Sequence, residues 1–364
     1  MSPEFEFESG LIYVDAFVSN LPGSSFVNIA ESNFIFNRYQ NEFIENARVV
    51  LKNIETGTEV VFVEEDESYL PENDFSVQTG ESWELDILLP DGRQYKSLPE
   101  TIDAGSIPIS EIKTTYDPEF MFSVSEDDFV PGHSISFTFD DPPQEDNFYF
   151  WRYRSFEELI TCEICEGGLF RDGECISYGA YIAEFGPCID ETVVKPFNTY
   201  TCSTDCWKIR FNENIKIFSD EFSNGNKINN LPVADILLFT KNDILVEIQQ
   251  YSISAEGYRY FKILKDIVDN NGNFNATPPA ALLGNMFNPN NGEEYVLGRF
   301  TAAFASTASV FIDRTNILEK SLEETLIDTE NAELFFGNGL KVISTTPCVE
   351  SQFRTGTRPE GWID

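Results

Sequence analysis

The sequence predicts a mainly β protein. It divides into an immunoglobulin-like β-sandwich over residues 10–104 and a larger β-rich domain over 105–364, which carries one amphipathic helix near 254–270 and a disulfide-rich insertion at 160–207. Three observations predict this. With 33 Phe and 14 Tyr, the apolar 41% of the chain is weighted toward side chains that suit pleated, half-buried surfaces, and it is too apolar for general disorder. Period-two alternation recurs in short segments separated by Gly, Pro, Asn and Asp turns. A single stretch switches to the 3.6-residue period.

Residues 1–9, MSPEFEFES, form an acidic tail without the basic start and apolar run of an export signal. The sandwich strands are expected at Leu11 to Val18, Phe26 to Ala30, Ala47 to Asn53, Glu59 to Glu64, Phe75 to Gln78, Trp83 to Leu89 and Gln94 to Ser97. Leu21-Pro22-Gly23, Glu55-Thr56-Gly57 and Pro90-Asp91-Gly92 punctuate them, because Gly supplies positive φ and Pro presets its own. Their spacing is that of an immunoglobulin-like sandwich, whose bland role is a spacer and whose functional role is recognition. Thr101 to Ser110, TIDAGSIPIS, reads as the linker.

Beyond it, strands are expected at Glu111 to Tyr116, Phe120 to Val124, Ser134 to Asp140, Asn147 to Ser155, Trp207 to Phe211, Ile215 to Phe218 and Val233 to Phe239. Ile244, Val246 and Ile248 then alternate with Leu245, Glu247 and Gln249 in one more strand before the period changes. Ser254 is a good N-cap and Glu256 complements the helix dipole. Phe261, Leu264 and Val268 make the apolar stripe, Tyr260, Ile263 and Ile267 widen it, and Asn270-Asn271-Gly272 ends the helix. That stripe is expected to face the second domain's sheet, where Leu264→Ala would cost about 2 to 5 kcal/mol. A Pro278-Pro279 loop, a turn at Asn288 to Gly292 and a return strand complete the unit.

The charge of -38, from 62 acids against 24 bases, argues against nucleic acid and anionic membrane surfaces as partners. Six of seven cysteines, Cys162, Cys165, Cys175, Cys188, Cys202 and Cys206, crowd together, and Cys348 stands apart. Such density in a loop-rich segment points to disulfides and an oxidising compartment. The competing reading, four thiolates from Cys162, Cys165, Cys202 and Cys206 on zinc, is weakened by the intervening Cys175 and Cys188.

No catalytic, cofactor-binding or metal residue is assigned, and no cofactor is expected. His133 is the lone histidine and reads as an exposed turn residue in Pro131-Gly132-His133. The acidic runs Glu126-Asp127-Asp128 and Asp140-Asp141 are what 62 acids produce by chance. Asp269-Asn270-Asn271-Gly272-Asn273 offers alternate oxygens but lacks the later Gly and Glu of a calcium loop, so it reads as a helix C-cap.

SISAEGYRYFKILKDI, the later LLGNMFNP, the strand EYVLGRF, the Cys206-Trp207 pair and the C-terminal PCVES…TRPEGW, preceded by GLIYVDAFVSN, ARVVLKN and GESWELDILLPDGRQYKS, together resemble the lipoproteins classed as domain of unknown function four-two-four-nine. The resemblance covers nearly the whole chain. It implies a surface lipoprotein of Bacteroidetes-type bacteria, tethered through a lipidated cysteine ahead of residue 1 and encoded beside TonB-dependent receptors. The expected role is a non-enzymatic accessory subunit of such an outer-membrane barrel, capturing substrate or acting as a lid. The alternatives are a structural or assembly subunit of an outer-membrane complex and, further off, a secreted glycan or peptide hydrolase. The resemblance also implies a pairing. Relatives carry a mid-chain Cys-Trp and a C-terminal motif with two cysteines, whose second position here is Ser351, leaving Cys348 as the partner of Cys206.

Overall fold

The structure, a computed structural model, describes residues 10–35, 38–72, 74–102, 105, 107–123, 127–143, 146–164, 168–171, 174–177, 200–203, 205–212, 214–270, 282–323 and 348–363. The strands that open the chain are β1 (Ile12–Ser19), β2 (Phe26–Ile35), β3 (Arg38–Phe43), β4 (Arg48–Asn53), β5 (Glu59–Glu65), β6 (Ser68–Leu70), β7 (Ser82–Leu88), β8 (Gln94–Ser97) and β9 (Glu100–Thr101). Next come β10 (Ile109–Ser123), β11 (Asp128–Asp140), β12 (Phe148–Glu158) and the insertion's β13 (Thr161–Ile164), β14 (Gly168–Arg171), β15 (Glu174–Ser177) and β16 (Tyr200–Ser203). The remainder is β17 (Trp207–Phe211), β18 (Lys216–Ser219), β19 (Lys227–Leu237), β20 (Ile244–Ser252), helix α1 (Ala255–Asn270), β21 (Met286–Phe287), β22 (Val296–Ile312) and β23 (Arg354–Thr355). The protein is mainly β, and no helix among the described residues is long and apolar enough to cross a membrane.

The N-terminal lobe is a sandwich. Ile12, Val14, Ala16 and Val18 of β1 point inward to meet Val49 and Leu51 of β4 and Leu85 and Ile87 of β7. Tyr13, Asp15 and Phe17, on the other side of the period-two alternation, are left for the opposite face. Gly23, Gly57 and Gly92 all take positive φ in the turns the sequence marks.

Residues from the far end of the chain complete this core. Met286, Val296, Phe300 and Ala302 belong to it, because β22 runs parallel to β1 from Ile12↔Val296 to Ser19↔Ala303. From Phe304 onward the same strand pairs antiparallel with β20, ending at Ile244↔Ile312. One 17-residue strand therefore serves both lobes, and sixteen of the described strands join in one sheet. The approach to β1 requires Gly298: at φ +95° a Cβ there would lie 1.9 Å from the Val14 carbonyl oxygen.

The second lobe stacks the three-stranded sheet β10-β11-β19 on one face of the β12-β20-β22 sheet. Ile135, Phe137 and Phe139 pack with Tyr149, Trp151, Val246 and Ile248. The opposite face of β12 and β20, bearing Phe150, Arg152, Gln249 and Tyr251, looks toward helix α1 and the outward face of β1.

Several sequence expectations change. Phe75 to Gln78 is no strand; it crosses the sandwich as a loop whose Phe75 ring sits edge-on to Phe62 and Trp83. The two strands expected within 111–124 are one, β10, with a register shift between Asp117 and Met121. His133 is not an exposed turn residue: it is 4% exposed in mid-β11 beside the Tyr116 ring. The glycine before it serves packing, since a Cβ on Gly132 would strike the Phe120 ring at 2.6 Å. In α1, Tyr260 and Phe261 are buried and Leu264 is half-buried, but Ile263 and Val268 are exposed. The helix contacts β12 and β18, and Val268 and Asp269 of its last turn are exposed.

Candidate functional site

Where β22 passes from β1 to β20, its cleft-side residues are small. Ala303 and Ala305 pack in one buried cluster with Phe17 of β1 and Phe150 and Tyr251 of the second lobe, beneath the junction. Helix α1 covers one side. Its start is fixed by Ser254, whose Oγ accepts the Gly257 N–H at 3.1 Å and donates to the Glu100 carboxylate. Arg299 Nη2 reaches both oxygens of that carboxylate at 2.5 and 2.6 Å, tying β9, β22 and the helix together. Burial pushes the Glu100 carboxyl up, against the pull of Arg299. With its first turn anchored, the helix lays Phe261 flat on Phe150, ring centroids 4.4 Å apart.

The result is a cleft of about 530 Å³ between the lobes. Tyr13, Phe26, Phe150, Tyr260 and Phe261 give it aromatic walls; Asp15, Arg152 and Arg154 bring charge to it, and the exposed Glu65 and Asp66 add acids at its rim. The Arg152 guanidinium carbon sits over three rings, Phe17 at 4.3 Å, Phe26 at 5.0 Å and Phe150 at 5.2 Å. Among the described residues it has neither an ion-pair contact nor a hydrogen bond. Arg154, one turn of the pleat away, is by contrast held by both oxygens of Glu247 at 3.0 Å. Burial raises the Asp15 carboxyl above the ordinary carboxylate range, and the nearby Arg152 pulls it back. The Tyr13 hydroxyl is pushed up to about 12, first by burial and then by Asp15, and it hydrogen-bonds Tyr260.

The far rim is the C-terminal tail. Cys206 and Cys348 form a disulfide, the pairing the resemblance implies. Trp362 then fits edge-on between Trp207 and Phe311, with centroids at 5.9 and 5.4 Å. Ser351 and Gln352 line the cleft, and Gln352 Nε2 donates to the Asp66 carbonyl at 3.4 Å across from the N-terminal lobe.

The other residues singled out from the sequence lie elsewhere. Since Cys206 is consumed by the disulfide, the four-thiolate zinc site over Cys162, Cys165, Cys202 and Cys206 does not form. Cys175 is disulfide-bonded, Cys162 and Cys202 are opposite one another in the β13–β16 ladder, and Cys165 and Cys188 fall outside the described residues. Asp269 and Asn270 end α1, and the calcium-like positions Asn271 to Asn273 are also outside them. Glu126 is outside them too, while the exposed Asp127 sits in the turn before β11 and the exposed Asp128 opens it. Asp141 is structural: buried, it accepts the Tyr149 hydroxyl and, at 3.0 Å, the Gly225 N–H. His133 is far from this chemistry by its contacts, and desolvation takes its imidazole down to about 4.

Sequence reasoning missed Asp15 and Arg152. The available signals were an acid inside the apolar run LIYVDAFV and two arginines inside the aromatic run FYFWRYRSF of a chain with few bases.

Fold and site define a two-lobed β protein with an aromatic, charge-bearing cleft at the lobe junction. The chain belongs to the family described as domain of unknown function (DUF4249), which matches residues 1–309. No curated protein and no solved structure matches it.

Proposed function

We propose that this protein is a non-catalytic ligand-capture subunit, lipid-tethered at the cell surface and working with a TonB-dependent outer-membrane barrel. The observation that carries the capture role is the cleft itself. Its volume of about 530 Å³ lies within the roughly 300–1,000 Å³ of small-ligand sites, and its lining combines aromatic walls with polar and charged side chains. Arg152, sheathed by three rings and left without an anionic contact, is oriented for something that is not part of the described protein. Support for the barrel and the tether comes from the family resemblance, which implies both.

Affinity purification of the tagged, lipidated chain from detergent-solubilised outer membranes of its own bacterium tests the partnership. The expected result is a stoichiometric β-barrel in the eluate. A chain that repeatedly emerges without one overturns the transport role.

A further inference from the structure

We infer that the cleft takes a small zwitterion with an apolar or aromatic body, an amino acid or dipeptide whose carboxylate meets Arg152 and whose ammonium meets Asp15. This rests on reading the cleft as a capture site.

Arg152 speaks for the carboxylate. Phe17, Phe26 and Phe150 hold the half-buried guanidinium at 4.3 to 5.2 Å from their ring centroids. What such a group has left to offer is its planar fork of N–H donors, and the partner that matches two parallel donors is a two-oxygen anion. A cation in apolar surroundings with no anionic contact is costly, so a ligand that supplies one is favoured.

Asp15 speaks for the ammonium. It lines the same cavity, and among the described residues it has no hydrogen bond and no ion-pair contact; Arg152 acts on it only through space. A ligand bearing only a carboxylate would be placed beside a second carboxylate. A ligand bearing only an ammonium would leave Arg152 unmatched. A zwitterion satisfies both and carries no net charge, so it is not repelled by a protein of net charge -38.

The walls speak for the body. Phe150 and Phe261 form a stacked pair, Tyr13 and Tyr260 stand near Asp15, and Leu264 faces in from α1. Flat apolar surfaces favour an aromatic or large aliphatic side chain, whose apolar area they remove from water. The β12 register fixes where the charge sits, since Arg152 is opposite Gln249 and the neighbouring Arg154 is already occupied by Glu247.

Isothermal titration of the full chain with the dipeptide Phe-Phe, its N-acetylated and amidated form, and maltotriose is the test. Three folded variants accompany the wild type: Arg152→Met, Asp15→Asn and the cleft-filling Leu264→Trp. Phe-Phe is expected to bind, the capped peptide and maltotriose to bind at least tenfold more weakly, and each charge variant to lose at least tenfold for Phe-Phe. Equal affinity for Phe-Phe and its capped form, unchanged affinity in both charge variants, or no Phe-Phe binding at millimolar concentration overturns the zwitterion. If maltotriose binds instead and Leu264→Trp abolishes it, the capture reading survives and only the ligand class fails. If a bound probe is indifferent to Leu264→Trp, the cleft is not the site and the underlying reading fails as well.

Discussion

Replacing both Cys206 and Cys348 by Ala removes one cross-link while leaving no new thiol to reshuffle. The two residues are 142 apart in sequence. A closed loop of that length lowers the unfolded chain's entropy by about 17 cal/mol/K, or about 5 kcal/mol at 25 °C. Cys206 is fully buried, so its truncation adds a small cavity cost of about 1 kcal/mol. The folded state keeps the Trp362 contacts with Trp207 and Phe311, which makes the expected loss chiefly an effect on the unfolded chain. Urea unfolding followed by tryptophan fluorescence under non-reducing conditions measures it. Two signatures are expected together: a stability loss of roughly 4–6 kcal/mol, and a larger m-value because the unlinked chain exposes more surface. A loss below about 1 kcal/mol with an unchanged m-value would show that the tail is held by packing alone and that the loop-entropy reasoning is wrong.

Two further outcomes are expected. His133 is buried neutral, its imidazole taken down to about 4 from an ordinary value near 6.5. The unfolded chain therefore binds the proton first: the contribution is full above about 6.5, is lost as pH falls toward 4, and amounts to about 2 kcal/mol between pH 7 and pH 5. Paired urea titrations should show that His133→Gln loses about 2 kcal/mol less than the parent over that interval, and parallel pH profiles would contradict the assignment. Phe261→Ala should cost about 3–5 kcal/mol, because it removes a buried ring stacked at 4.4 Å on Phe150. Leu264→Ala, at a half-buried position facing the cleft, should cost less than about 2 kcal/mol, below the range expected for a sealed core leucine. Thermal melts of the two variants that come out in the reverse order would mean that the helix is seated differently.

Local signals explain most of what could be read from the sequence. The turns at Gly23, Gly57 and Gly92 take the positive φ their neighbours demand, and Ser254 caps α1 through the Gly257 N–H. Alternation was legible where one face meets the core, as in Ile244, Val246 and Ile248. The cleft was not legible, because none of its determinants is local. Asp15 and Arg152 are apart in sequence and meet only because β1 and β12 are drawn to either side of β22 and β20. Glu100 and Arg299, which anchor the helix start, are separated by 199 residues. A charged residue on the outward side of a β1 alternation looks the same whether it faces solvent or a cleft. His133 failed for a related reason: Pro131-Gly132 resembles a turn until the Phe120 ring that occupies the space of the missing Cβ is known.

The shared strand also makes a prediction about residues 10–104 in isolation. Their sandwich core includes Met286, Val296 and Phe300 in the intact chain. Losing three such side chains forfeits roughly 1.5–3 kcal/mol apiece, or about 5–9 kcal/mol together. That is comparable to the roughly 5–15 kcal/mol by which a whole domain is stable. The loss is concentrated on β1, which would surrender its eight-residue pairing with β22 and become an exposed edge. A fragment ending at residue 104 should therefore show no cooperative thermal transition by circular dichroism. Adding a peptide spanning 282–303 in trans should restore one, since it returns both the core residues and the missing strand. A fragment that melts cooperatively without the peptide would mean that β22 merely leans on a finished sandwich. The cleft at the lobe junction would then be an accident of docking; if the strand is instead required, the two lobes have no folded existence apart from the cleft between them.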